Sequence, residues 1–146
     1  MSVRSDIINS LVTALETITV ENGYNTDVKK VAKFVLSYDQ AKELSPCLSV
    51  IEREETIRSQ DETNVLYILS VGIAGYVKGV QLPDISTAAT GLIDDLKKVI
   101  YAPINLGAYC LAVNLTSTDM DVFSVPEVGS TGMILEIIYY SPKAGI

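Results

Sequence analysis

ENGYNTDVKKV, Glu21 to Val31, is the stretch on which the fold turns: one apolar periodicity ends there and another begins. Upstream, Ile7, Ile8, Leu11, Val12, Leu15 and Ile18 recur at spacings of three and four, the stripe of an amphipathic helix. Ser2 or Ser5 can cap its start, and Asp6 in the first turn suits the helix dipole. Gly23 stands just past the helix end, where glycine takes the left-handed backbone that other residues resist. Asn25, Thr26 and Asp27 can turn the chain through side-chain to backbone hydrogen bonds, and Tyr24 is expected to fold back on the last helical turn. Downstream, residues 28–36 alternate as a strand, with Lys29, Val31, Lys33 and Val35 on one side. Lys30, Ala32, Phe34 and Leu36, the more apolar set, are expected to face the core.

Working outward, a polar connector from Ser37 to Ser45 leads to Pro46 and a short strand, Cys47 to Glu52. Arg53 to Asn64 holds six charged residues and few apolar ones, and reads as a solvated loop. Val65 to Lys78 reads as a long strand, apolar on both sides, with Gly72 and Gly75 marking a bulge or bend. Leu82-Pro83-Asp84 opens a second helix, capped by Asp84, with Ile85, Ala89, Leu92, Leu96 and Val99 in its buried stripe. Asp94 and Lys98 form a favourable pair on it, and Pro103 ends it. Strands at Ala108–Thr116 and Gly132–Tyr140 close the chain, separated by a polar segment with Pro126 and Gly129.

The predicted fold is α+β, a two-layer sandwich in one domain spanning 1–146. It has a sheet of about five strands, mixed or antiparallel, with two main helices on one face. Two helices cannot cover both faces. Val65–Ala74 and Met133–Tyr140, apolar on both sides, therefore predict burial against another subunit, the alternative cover being a long loop.

A chain of 146 residues can bury one well-formed core, and 48% apolar with 20% charged residues is a folded, globular balance. Eleven Lys plus Arg against eighteen Asp plus Glu give a net charge of −7, which argues against a general nucleic-acid binder or an anionic membrane as partner. No apolar run approaches the roughly 18 residues of a membrane helix, and Met1 to Asp6 lacks the apolar centre of a signal peptide. Cys47 and Cys110 read as two buried thiols in a reducing cytoplasm.

Catalytic machinery is hard to assemble from this sequence. There is no histidine, and Gly72, Gly75 and Gly79 are misplaced for a phosphate loop. Glu52-Arg53-Glu54-Glu55 lacks the pattern of a calcium loop and reads as a charged edge that discourages stray sheet pairing. Asp94 and Asp95 point to different sides of a helix. Asp119 and Asp121 could meet a metal but have no evident third ligand; a small hydrolase built on them is the weakest of the functional readings. The expectation is a protein that is not an enzyme, with no catalytic, cofactor or metal residues. Eight Tyr against two Phe and no Trp favour protein interfaces instead, and Tyr139-Tyr140 puts one ring on each face of the last strand.

The helix from Ile8 to Ile18, the corner Gly-Tyr-Asn-Thr-Asp-Val at 23–28 and the strand after it resemble the tail terminator and tail-completion proteins of tailed bacteriophages, of the minor tail protein U type. Pro46-Cys47-Leu48-Ser49-Val50-Ile51-Glu52, a proline before an apolar strand ending in acid, is similar too, as is the order of long strand, helix and two closing strands. The resemblance spans nearly the whole chain as a pattern, the corner being its one specific motif. It implies a structural virion protein that forms a ring, usually a hexamer, on the head-proximal end of the tail tube. Such a ring stops tube growth, offers a surface to the head's neck or connector proteins and, in contractile tails, touches the sheath. DNA would pass through without specific binding. The implied location is the phage tail, with assembly in the host cytoplasm. The chain lacks the arginine-rich stretch that some relatives carry after the first strand. The rival reading is a monomeric head–tail connector or neck adaptor. The residues expected at protein interfaces are Arg53, Glu54, Glu55, Arg58 and Asp61 in the charged segment, and Tyr139 and Tyr140 at the strand end.

Overall fold

The first helix ends at Leu15, with Glu16 as its C-cap, so Gly23 is not the helix stop expected of it: it has φ +92° and closes a later turn, its N–H donating to the Val20 carbonyl at 3.0 Å, and the corner after it is fastened to a distant helix. The computed structural model describes residues 2–79, 82–102, 104–121 and 128–143. The elements in chain order are α1 (Val3–Leu15), β1 (Lys30–Ala32), α2 (Tyr38–Leu44), β2 (Cys47–Gln60), β3 (Asn64–Lys78), α3 (Leu82–Tyr101), β4 (Cys110–Asp121) and β5 (Val128–Pro142). One five-stranded sheet has the order β1-β2-β3-β5-β4, with β1 parallel to β2 and every other pair antiparallel. The fold is the predicted α+β sandwich, and its sheet is mixed and open.

Ser2 caps α1, accepting from the Ser5 amide at 3.1 Å. The stripe Ile7, Leu11 and Leu15, together with Ile18 just past the helix, meets Ile85, Leu92 and Leu96 of α3 and one side of the sheet in a single core. The sheet contributes Leu48 and Val50 from β2, Leu69, Val71 and Ile73 from β3, and Met133, Leu135 and Ile137 from β5. Each such side chain stabilises the fold by about 1.5–3 kcal/mol relative to leaving it in water. The period-two alternation of β3 then leaves Leu66, Ile68, Ser70, Gly72, Ala74 and Tyr76 on the opposite side.

The corner is a latch. Val20 N–H donates to Asp27 Oδ1 at 2.8 Å, and Asn25 N–H reaches across to Asp95 Oδ1 of α3 at 2.8 Å. Lys98 Nζ donates to the Gly23 carbonyl at 2.9 Å and lies 4.8 Å from the Tyr24 ring centroid. Lys98, expected to pair with Asp94, thus serves the corner, and Tyr24 meets α3. Asp94 and Asp95 do diverge, Asp95 being buried and tied to the corner.

Several elements differ from expectation. Residues 53–60 are strand, not loop: β2 continues to Gln60 and pairs with β3 as far as Gln60 opposite Val65. Apart from the partly covered Glu55, its outer half is exposed, so backbone pairing holds it and burial leaves no periodic mark on its sequence. The segment read as a polar connector contains α2, opened by a capping box between Ser37 and Gln40. β1 is only three residues long, and past Ala32 the alternation breaks: Leu36 is buried, whereas Phe34, expected in the core, is exposed. The β3–β5 ladder runs without a shift through Gly72 and Gly75; the bulges lie in β2, between Glu52 and Glu54 and between Ile57 and Ser59. β4 and β5 run longer than expected, with Gly129 inside β5, while Pro103 and Pro126 lie outside the described residues.

Candidate interaction surface

α1 and α3 occupy one face of the sheet. On the other, α2 seals one end: Ala41 packs with Ala32, Leu36 and Cys47, with Leu44 and Tyr76 at the margin. Cys47 is fully buried there, and that burial pushes its thiol up to about 11.

Beyond α2 the face lies open, and the strand register orders it in rows. Ala74 and Gly132 stand beside Ser49, which is itself buried beneath the loop after β1, then come Ile51, Gly72 and Ile134. Gly132 lies beneath the Asp119 carboxylate and Gly72 beneath the aliphatic part of Arg53, so both glycines leave room for a neighbouring strand's side chain. The next row is polar, Glu54, Ser70, Glu136 and Asn114, with both glutamates exposed. After it come Thr56, Ile68, Ile138 and Ala112, and at the far end Ser59, Leu66 and Tyr140. Leu66 and Tyr140 share a groove with Leu111, which is 59% exposed, and Tyr109 meets the Tyr140 ring edge-on with centroids 5.0 Å apart. The surface is therefore two apolar areas divided by an acidic row. Its central residues are partly exposed, in contrast to the sealed side of the same strands.

The sequence-predicted interface residues are spread over this architecture. Arg53 and Glu54 lie on the open face around the first β2 bulge, and Arg58 lies at the second bulge. Glu55 turns to the helix side. There it accepts from the Tyr139 hydroxyl and stands 3.2 Å from Arg4, whose Nε meets Glu52 at 2.6 Å. Tyr139 is buried and stacks on Tyr67 at 5.2 Å; burial and the Glu55 carboxylate hold its phenol well above the ordinary tyrosine range. Tyr140 is the partly exposed member of the pair. Asp61 organises the hairpin turn, its Oδ1 accepting from the amides of Thr63 at 2.8 Å and Asn64 at 2.7 Å, which holds the carboxyl below its usual range.

Among the described residues no group of three or more His, Cys, Asp or Glu could hold a metal ion, and no helix is long and apolar enough to cross a membrane. Asp119 is exposed on β4 over Gly132, and the side chain of Asp121 lies outside the described residues. A groove of about 910 Å³ between the corner and α3 mixes Asp27 and Asp94 with Lys29 and Lys78, without a convergent cluster of one chemistry. Glu136 carried no signal in the sequence; its register opposite Ser70 makes it the centre of the acidic row.

No protein-family model and no curated protein matches the chain. Among solved structures, a chain from the virion of a native gene transfer agent (GTA) particle is similar at a TM-score of 0.52, covering 96% of this chain and 92% of that chain at 9% identity. What the two share at that identity is the fold.

Proposed function

We propose that this protein is a structural virion component that caps the head-proximal end of a tail tube as a homo-oligomeric ring, a hexamer if it follows the proteins it resembles. The observation that carries the reading is the open sheet face, where Leu66, Ile68, Ile134 and Ile138 are left half-buried by the chain's own helices. A face of this kind gains free energy when a neighbour excludes water from it, at about 25 cal/mol per Å² of apolar area covered. The fold shared with a chain of the GTA virion over nearly its full length supports the reading, as does the corner motif.

In this role the chemistry is steric and interfacial. One side of the ring matches the tube end, and the other cannot accept a further tube subunit, so growth stops and a head-joining surface is left. Partners on this reading are other copies of the chain, the tube protein, a neck or connector protein and, in a contractile tail, the sheath. A net charge of −7 suits a ring through which DNA slides without sticking.

Negative-stain imaging of purified protein, alone and with tube ends, tests the proposal. Rings with a central hole are expected alone or on the tube ends, and removal of the gene should yield tails of uncontrolled length. A chain that stays monomeric in both settings, and whose loss leaves tail length unchanged, would sink it. Recovery of monomers on tailless heads would support the connector reading instead.

A further inference from the structure

Resting on the ring reading, we infer that successive copies join by two different patches: the exposed loop after β1 of one copy seats on the acid-divided open face of the next. The loop is the more unusual of the two surfaces. Phe34 is 55% and Val35 68% exposed, adjacent large apolar residues that the chain's own core does not take up. They hold their position because Ser49 Oγ donates to the Phe34 carbonyl at 2.9 Å and Leu36 is buried beneath α2. The apolar pair is therefore displayed on a fixed loop. Close by in sequence, Lys29, Lys30 and Lys33 supply three of the chain's eleven cationic residues within five positions, all exposed, although Lys29 lines the groove beside α3 and Lys33 Nζ donates to Asn9 Oδ1 of α1.

The open face is complementary in both respects. It offers apolar side chains, Ile68, Ile134 and Ile138, for Phe34 and Val35. It offers the acids Glu54, Glu136 and Asp119 for the lysines, with Arg53 lying over Gly72 among them. In an acidic chain the juxtaposition of like-charged open faces is repulsive, which disfavours pairing of two such faces about a twofold axis. A basic apolar loop on an acidic apolar face is attractive and head-to-tail. Contacts of that kind leave one loop and one face unused at each step, and close only as a ring or continue as a filament.

Complementation of two variants tests this. Phe34→Asp/Val35→Asp spoils the loop and keeps the face; Glu54→Lys/Glu136→Lys spoils the face and keeps the loop. All four residues are exposed, and circular dichroism checks that both variants fold. Each alone is expected to lose assembly under conditions where the unaltered chain assembles. Their equimolar mixture should halt at a 1:1 dimer, twice the 15.8 kDa chain mass by light scattering, because one intact interface survives. If both variants assemble like the unaltered chain, or the mixture stays monomeric, the loop-to-face interface is wrong while the ring can stand. If the unaltered chain itself never assembles, even on tube ends, the ring reading fails and this interface with it.

Discussion

The two faces of one sheet have been put to different uses, and β3 shows it residue by residue. Leu69, Val71 and Ile73 are sealed by α1 and α3, whereas Ile68, Ser70, Gly72 and Ala74, their immediate neighbours, are only half covered. Chemically the strand is apolar on both sides; what separates the faces is whether the chain carries its own cover. The sealed face contributes the stability of one molecule. The open face contributes little to it, and so is available to a second.

The largest expected effect follows from that contrast. Leu69→Ala should cost about 2–5 kcal/mol in urea unfolding, because it leaves a cavity among side chains that cannot collapse into it. Ile68→Ala, one residue away, should cost the isolated molecule about 1 kcal/mol, since solvent fills the space. Equal losses would mean that the open face is already packed. Repeating the pair on assembled protein sharpens the comparison, because the Ile68 loss should grow there while the Leu69 loss stays the same.

Two glycines of β3 make the same contrast by addition. A Cβ at Gly75 would stand 2.6 Å from Thr131 Oγ1 and 2.7 Å from Leu92 Cδ2, both in the packed interior. Gly75→Ala should therefore cost about 1–3 kcal/mol. A Cβ at Gly72 would meet nothing closer than Arg53 Cδ at 3.4 Å, on a flexible side chain of the open face, with the Ile51 carbonyl at an ordinary 3.8 Å. Gly72→Ala should stay within about 0.5 kcal/mol by thermal unfolding. A large loss at Gly72 would show that Arg53 is pinned and that the open face is more ordered than its exposure suggests.

How far the sequence could be read depends on the same distinction. α1 and α3 were legible because burial on one side imposes a period, β3 and β5 as long apolar runs, and Gly23 as the place where the chain turns, although the helix stops earlier, at Leu15. The outer half of β2 was not legible: its charged residues are exposed, and pairing with β3 makes it a strand without any demand on side-chain polarity. Ser37 and Gln40 did carry a signal for α2, the capping box, but at seven residues the helix has almost no periodicity to read. Phe34 misled because an apolar residue in an alternating run reads as core, although in the fold it lies beyond the strand. Of the candidate surface, Tyr140 and the two-sided character of β3 and β5 could be seen in advance. The acidic row could not, since Glu54, Ser70, Glu136 and Asn114 come from four strands and only register brings them together.

Between these extremes lies the corner, which joins the sealed side from outside. Asp95 is 2% exposed, and its Oδ1 holds the Asn25 amide. Asp95→Ala leaves that amide without its acceptor and should cost about 1–2 kcal/mol, whereas Asp95→Asn keeps an oxygen in place and should cost less. If both variants unfold with the unaltered midpoint, the corner is not a latch and the motif at 23–28 needs another explanation.

The smallest expected effect probes the one part of the open side that the chain does cover. Cys47 lies on that side, yet α2 seals it as fully as any residue under α1 and α3. Burial raises its thiol from an ordinary value of 9.0 to about 11, so the folded chain holds this proton more tightly than the unfolded chain does. The associated stability is present below pH 9 and lost as pH climbs toward 11. Cys47→Ala should flatten that alkaline decline while lowering stability slightly at neutral pH through the lost packing. Thiol labelling supplies the independent check: Cys110, only partly buried, should react well before Cys47. Equal rates, with an unchanged alkaline slope in the variant, would mean that α2 opens in solution. The open face would then extend to the end of the sheet, and the contrast between the two faces would be sharper than the fold described here.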